Sequence, residues 1–224
     1  MRPIKTLFMM ALLCSSLILA AQQTASQSTS KYLFTPNQGQ WVDFDGNYLD
    51  EFKYFYRSQG MDVGLKKRGF SYNLFTVEEK PDRVSEATGK EPESSEVTIK
   101  NHRVDITFLG ANEEVEIVAS GRSKHVNNYY SNHFPEGITH VHSYASITYK
   151  NLYPNIDLVL SSAKDDAGQI QLQYQIVKRP GGDINQVKMQ YEGMYGLSVE
   201  NDELKVTTSL GTITESIPAR LYAS

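Results

Sequence analysis

The chain is poor in the residues that announce chemistry. Its 224 residues include one cysteine, one tryptophan and five histidines. Cys14 falls in the longest apolar run near the start, so the remainder carries no thiol; its core is expected to hold by burial alone, without disulfides. A Gly-x-Ser-x-Gly elbow is missing, and so is a glycine loop with phosphate-binding spacing, which removes the usual marks of a serine hydrolase and of a nucleotide enzyme. No segment keeps an apolar stripe at helical spacing over three turns. Charge of one sign is scarce too. The net charge of −4 becomes −6 without Arg2 and Lys5, and the signs are interspersed, which disfavours nucleic acid and anionic membranes as partners.

Residues 1–21 read as a secretory signal: Arg2 and Lys5 supply the charged start, residues 7–19 the apolar stretch, and Ala20-Ala21 the small-residue cleavage zone. The stretch is shorter than the roughly 20 apolar residues that cross a bilayer. The mature chain is therefore expected to be secreted or displayed at the cell surface, with no membrane span. Leu13 before Cys14 is not the small residue a lipidation signal needs. Residues 22–31 form a Gln/Ser/Thr leader with no apolar spacing, predicted disordered.

From residue 32 to residue 224 the pattern predicts one β-rich domain. Apolar and polar residues alternate at 52–56, 61–65, 70–75, 104–109 and 115–119, then at 140–144, 146–149, 156–160, 170–177, 187–191, 197–199, 204–208 and 211–217. Many short strands at this spacing predict an all-β, antiparallel two-sheet, sandwich-like domain. A shift to Glu, Lys, Pro, Ser and Gly predicts a mobile loop at about 78–100. Residues 165–168, 200–203 and 209–211 read as hairpin turns, and Gln169, Gln171, Gln173 and Gln175 set one face of a strand toward a polar environment. The strand-like ending at 217–224 reads as a domain cut short at its C-terminus.

Candidates for chemistry are few. His140 and His142 lie at period two, which on a regular strand puts both imidazoles on one side, as zinc sites use; His102, His125 and His133 have no spacing that completes a site. Asp43, Asp45, Asn47 and Asp50 cluster around Gly46 as oxygen ligands for calcium do, but the spacing lacks the EF-hand glycine and final acid, so a polar turn explains the same letters. The expectation is no metal and no cofactor. Asp105, Asp157 and Glu215 can be nominated as glycosidase acids, but that reaction needs two carboxyls at a set separation. Asp157, entering an apolar strand after Tyr153-Pro154-Asn155, is expected to accept hydrogen bonds from turn amides or a tyrosine. Trp41, Tyr129 and Tyr130 are the candidate ligand or partner contacts, since exposed aromatics stack on sugars and anchor protein contacts.

Several landmarks occur in a recognisable order: Asn37-Gln-Gly-Gln-Trp41, Asn128-Tyr129-Tyr130, Tyr149-x-x-Leu-Tyr-Pro-Asn-Ile-Asp157, Tyr174 with Arg179-Pro-Gly-Gly-Asp183, Tyr191-x-Gly193 and Gly211-x-Ile-x-Glu-x-x-Pro218. In this order the chain resembles an uncharacterised, DUF7948-like N-terminal domain of Bacteroidota surface or secreted proteins. Such proteins continue into β-propeller-type (SBBP) repeats, PKD or other Ig-like modules and a C-terminal sorting or gliding-motility-associated domain. The resemblance implies an extracellular building block without an established activity. The expected function is a non-catalytic structural or adhesive module. Its expected partners are the other domains of a longer chain, with surface glycans or proteins as further candidates. A carbohydrate-binding module is the alternative, and a secreted hydrolase the second alternative.

Overall fold

The structure is a computed structural model that describes residues 33–43, 46–58, 60–80, 96–164, 170–201, 203–216 and 220–222. The expected signal and leader, the turn at 165–168 and Asp45 lie outside the described residues. Described are β1 (Phe34–Pro36), β2 (Phe52–Ser58), β3 (Met61–Lys66), β4 (Gly69–Lys80), β5 (Glu96–Phe108), β6 (Glu116–Ser131) and β7 (Phe134–Tyr153). There follow β8 (Ile156–Lys164), β9 (Ile170–Lys178), β10 (Met189–Glu192), β11 (Gly196–Glu200), β12 (Glu203–Thr208), β13 (Gly211–Ser216) and β14 (Arg220–Tyr222). The sole helical element among them is a 3-10 turn at Ile184–Gln186.

The all-β expectation holds, with two sheets of unequal size. Eleven strands form the large sheet in the order β10-β5-β4-β3-β2-β1-β7-β8-β9-β14, with β6 paired to β7; β11-β12-β13 form the small one. Pairing is antiparallel except for β14 along β9. Two strand boundaries differ from expectation. Glu78–Lys80 and Glu96–Lys100, placed by composition in a loop, are paired strand: Glu78 faces Thr98 and Lys80 faces Glu96. Glu78, Glu79, Val97, Ile99 and Lys100 are exposed, away from the core, which gives these ends the composition of a loop. The runs 140–144 and 146–149 belong to one strand of 20 residues, β7, and β6 extends to Ser131.

Alternation explains the core. On β4, Phe70 and Tyr72 point into it and Ser71 to the other face; on β5, Val104, Ile106 and Phe108 do the same. The second half contributes Ile147, Tyr149, Leu152, Ile156, Leu158 and Leu160, and the small sheet docks with Val206 and Ile213. Each such side chain contributes about 1.5–3 kcal/mol on burial. A second cluster, Trp41, Phe52 and Phe55, covers the opposite face. Gly64 makes room there: a Cβ at that position would sit 2.4 Å from the Phe52 ring.

Candidate functional site

The segment from Tyr149 to Asp157 is a joint. Between the pairs Tyr149–Leu158 and Tyr153–Ile156, β7 carries two residues more than β8, so it bulges, with Asn151 at φ 49°. Asp157 accepts the Asn151 backbone amide at 2.6 Å and the guanidinium of Arg179, which also reaches the Asn151 side chain. The carboxylate thus holds the bulge closed through one backbone amide, of the kind expected, and through a guanidinium that the sequence did not signal. The two tyrosines reach the other half of the sheet. The Tyr149 hydroxyl donates to Lys66 O at 2.8 Å, and that of Tyr153 to Leu109 O at 3.0 Å. Burial pushes both phenols up.

Asp105 sits in an ion cluster on the outer face of β5. Lys66 donates to it at 2.7 Å, Arg103 through two nitrogens at 2.9 Å, and Ser71 at 2.5 Å, while Glu51 braces both cations. Burial works against its charge, but the Arg103, Lys66 and Ser71 hydrogen bonds outweigh it and hold the carboxyl at about 2. The cations also lie over Phe52, at 5.2 Å for Lys66 and 5.3 Å for Arg103.

Glu215 is the opposite case. It is 5% exposed, between β13 and the inner face of the large sheet. One oxygen, Oε2, accepts the hydroxyls of Tyr174 at 2.7 Å and Tyr191 at 2.9 Å. The other, Oε1, is buried with no partner in hydrogen-bonding geometry. Burial raises its pKa, and the hydroxyls of Tyr174, Tyr191 and Tyr72 offset this only in part. The phenols of Tyr72, Tyr174 and Tyr191 are raised in turn, by burial first and then by the carboxyl. Three landmarks distant in sequence, Tyr174, Tyr191 and Glu215, meet here. Neither spacing nor alternation signals that meeting, because it depends on how the two sheets stack.

The three nominated acids are therefore held by three separate sets of partners. The metal candidates are separated as well. His140 has φ 60° in a bulge of β7, which breaks the regular alternation assumed for the His-x-His pair. His140 Nδ1 lies by Thr139, whereas His142 Nδ1 lies 2.9 Å from Ser123 O across the sheet. His102 fastens the small sheet to β5, with Nε2 2.8 Å from Gly193 O and Nδ1 accepting the Ser209 amide at 3.2 Å. In the loop before β2, both Asp43 carboxyl oxygens take Asn47 amides, at 2.8 and 3.0 Å, and Asp50 lies in the turn into the strand. Among the described residues no three His, Cys, Asp or Glu side chains are grouped.

The aromatic candidates do not form one row. Trp41 is buried, 4.4 Å from Phe55 and 6.0 Å from Tyr129 between ring centroids, with Arg57 stacked at 5.8 Å. Its ring is occupied by packing, which corrects its reading as a contact residue. Tyr129 is half-buried and its phenol is raised by burial; Tyr130, 68% exposed, lies over Gly137.

A further surface lies across β6, β7, β8 and β9. Ser120, Ser146, Ser161 and Gln173 stand opposite one another in one row, and Val118, Thr148, Val159 and Gln175 in the next. The rows are uncharged, half-exposed to exposed, and about 14 Å across at ordinary strand spacing. Among the described residues their hydroxyls and amides have no hydrogen-bond partner in the chain. The exposed glutamines were legible in the sequence as one polar face; the serines and threonine were not, because their alignment is a matter of register.

No helix among the described residues is long and apolar enough to cross a membrane. A family model described as a domain of unknown function, DUF7948, matches residues 34–222. No curated protein and no solved structure matches the chain.

Proposed function

Since the chain belongs to the DUF7948 family of domains of unknown function, we propose its role from its own geometry: a non-catalytic structural and adhesive module of a secreted or cell-surface protein, carried beside further domains of a longer chain. The observation that carries this reading is the fate of the reactive side chains. Asp157 closes a bulge with Arg179, Asp105 balances Lys66 and Arg103, and Glu215 joins two sheets through tyrosines. Each acts as a joint, engaged by its own set of partners, whereas acid–base hydrolysis needs two carboxyls free to face one bond. The extracytoplasmic placement rests on residues 1–21 as an export signal. Fractionation of cells expressing the full chain tests it, with cytoplasmic retention counting against it. Polysaccharide and peptide libraries are expected to pass through unchanged. Turnover abolished in folded Asp157→Asn or Glu215→Gln would establish a hydrolase instead.

One observation favours carbohydrate as the adhesive partner. Hydroxyls and amides that both donate and accept, free and uncharged on a four-strand face, suit the hydroxyls of a neutral glycan. A glycan array tests this. Saturable binding that disappears in the double variant Ser146→Glu, Gln175→Glu, with circular dichroism unchanged, supports it; binding lost only in Tyr130→Ala moves the contact to the β6–β7 turn.

A further inference from the structure

We propose that Glu215 takes up a proton as the small sheet, β11–β13, docks on the large one, and so works as a pH-sensitive latch between them. A carboxylate spreads its charge over both oxygens, and a buried oxygen without a donor leaves that charge uncompensated. Oε1 of Glu215 is such an atom: Oε2 takes two hydroxyls, and the phenol of Tyr72, the least of the three in its effect on the carboxyl, is not in hydrogen-bonding geometry with Oε1. A proton on Oε1 removes the conflict, because the neutral acid keeps Oε2 as the acceptor and asks for no countercharge.

The surroundings agree from every side. β9 offers Tyr174, β10 offers Tyr191 and β4 offers Tyr72; every described group acting on the carboxyl is a phenol, and none is a cation. On β12 the cross-strand neighbour is Leu204. The contrast with Asp105, which has Lys66 and Arg103 within 3 Å, shows what this chain does when it keeps a carboxylate charged. The position makes the proton consequential. Glu215 belongs to the small sheet and its hydroxyl partners to the large one, so ionisation puts a charge into the seam between them.

The direction follows from linkage. An unfolded or undocked glutamate titrates near its ordinary 4.5, and burial raises the docked value above that. The docked state then holds an extra proton between the two values. Docking is strongest below the lower one, weakens as pH climbs toward the upper one, and is level beyond it. Within that window the docking equilibrium falls about tenfold per pH unit for one proton.

Hydrogen exchange read by mass spectrometry tests the latch on the mature domain. Protection of the amides in 196–216, corrected for intrinsic exchange, is compared with that of β8 across the pH range. The wild type is expected to lose protection in 196–216 first as pH rises, and Glu215→Gln to hold it level. Every other ionisable group, including His102 at its contact with Ser209, is present in both chains and cancels. Tyr174→Phe supplies an independent reading should Glu215→Gln fold poorly: one donor fewer to the carboxylate moves the midpoint of protection loss to higher pH. Equal pH dependence in wild type and Glu215→Gln, or an unmoved midpoint in Tyr174→Phe, overturns the proposal. The outcome is independent of glycan binding and of where the protein resides.

Discussion

Consecutive residues on β4 serve two carboxylates treated in opposite ways. Ser71 points to the outer face and bonds Asp105; Tyr72 points inward, toward Glu215. Asp105 is 31% exposed at its side chain and faces two cations, so its charge is stabilised and its carboxyl sits at about 2. Glu215 is buried among phenols and its carboxyl is raised. Burial opposes charge at both sites, so burial alone does not set the direction. The decisive difference is the partner: guanidinium and ammonium groups overcome desolvation, whereas neutral hydroxyls only reduce it.

Removing each carboxyl breaks the comparison most directly. Glu215→Ala leaves a cavity and strands buried phenols, and is expected to cost about 2–4 kcal/mol in urea unfolding at pH 5. Asp105→Ala should cost less, about 1–2 kcal/mol, because Lys66 and Arg103 can turn to water and to Glu51. A larger loss at Asp105 would mean that the outer cluster, not the seam, carries the stability. Acid sharpens the contrast. Asp105 has an ordinary value of 3.8 and a folded value of about 2, so its contribution is complete above 3.8 and is lost as pH falls through 2. Asp105→Asn is expected to flatten that acid limb and leave the slope attributed to Glu215, which lies on the other side of 4.5, unchanged.

Much of this architecture was legible in the sequence, and the limits are physical. Alternation is local, so it located the cores of strands such as Phe52–Ser58 and Met61–Lys66 and the all-β class. It misread Glu78–Lys80 and Glu96–Lys100, because an amphipathic arm that leaves the core has the composition of a loop. It also assumed an unbroken period at His140 and His142, where a left-handed residue interrupts β7. At Asp157 one expected amide partner is present, from Asn151 six residues back, whereas Arg179 lies 22 residues away and was not legible locally. Glu215 was a name without a place. Its partners come from three strands 24 to 143 positions away, and only the stacking of one sheet on another brings them together.

The smallest expected effect separates the two sites by their response to salt. Glu51 is half-exposed and bridges Lys66 at 3.2 Å and Arg103 at 3.0 Å, a geometry in which solvent and ions compete for the charges. Glu51→Gln should cost no more than about 1 kcal/mol at low ionic strength, and most of that should vanish in high salt as the Debye length shrinks toward a few ångströms. The hydroxyl bonds at Glu215 carry no ion pair and are closed to solvent, so the stability difference between wild type and Glu215→Gln at fixed pH should stay level over the same range. Paired urea titrations at low and high salt decide it. A salt-dependent difference at Glu215 would place a mobile counterion in the seam, and the partner rule drawn from these two carboxylates would then fail at the buried one.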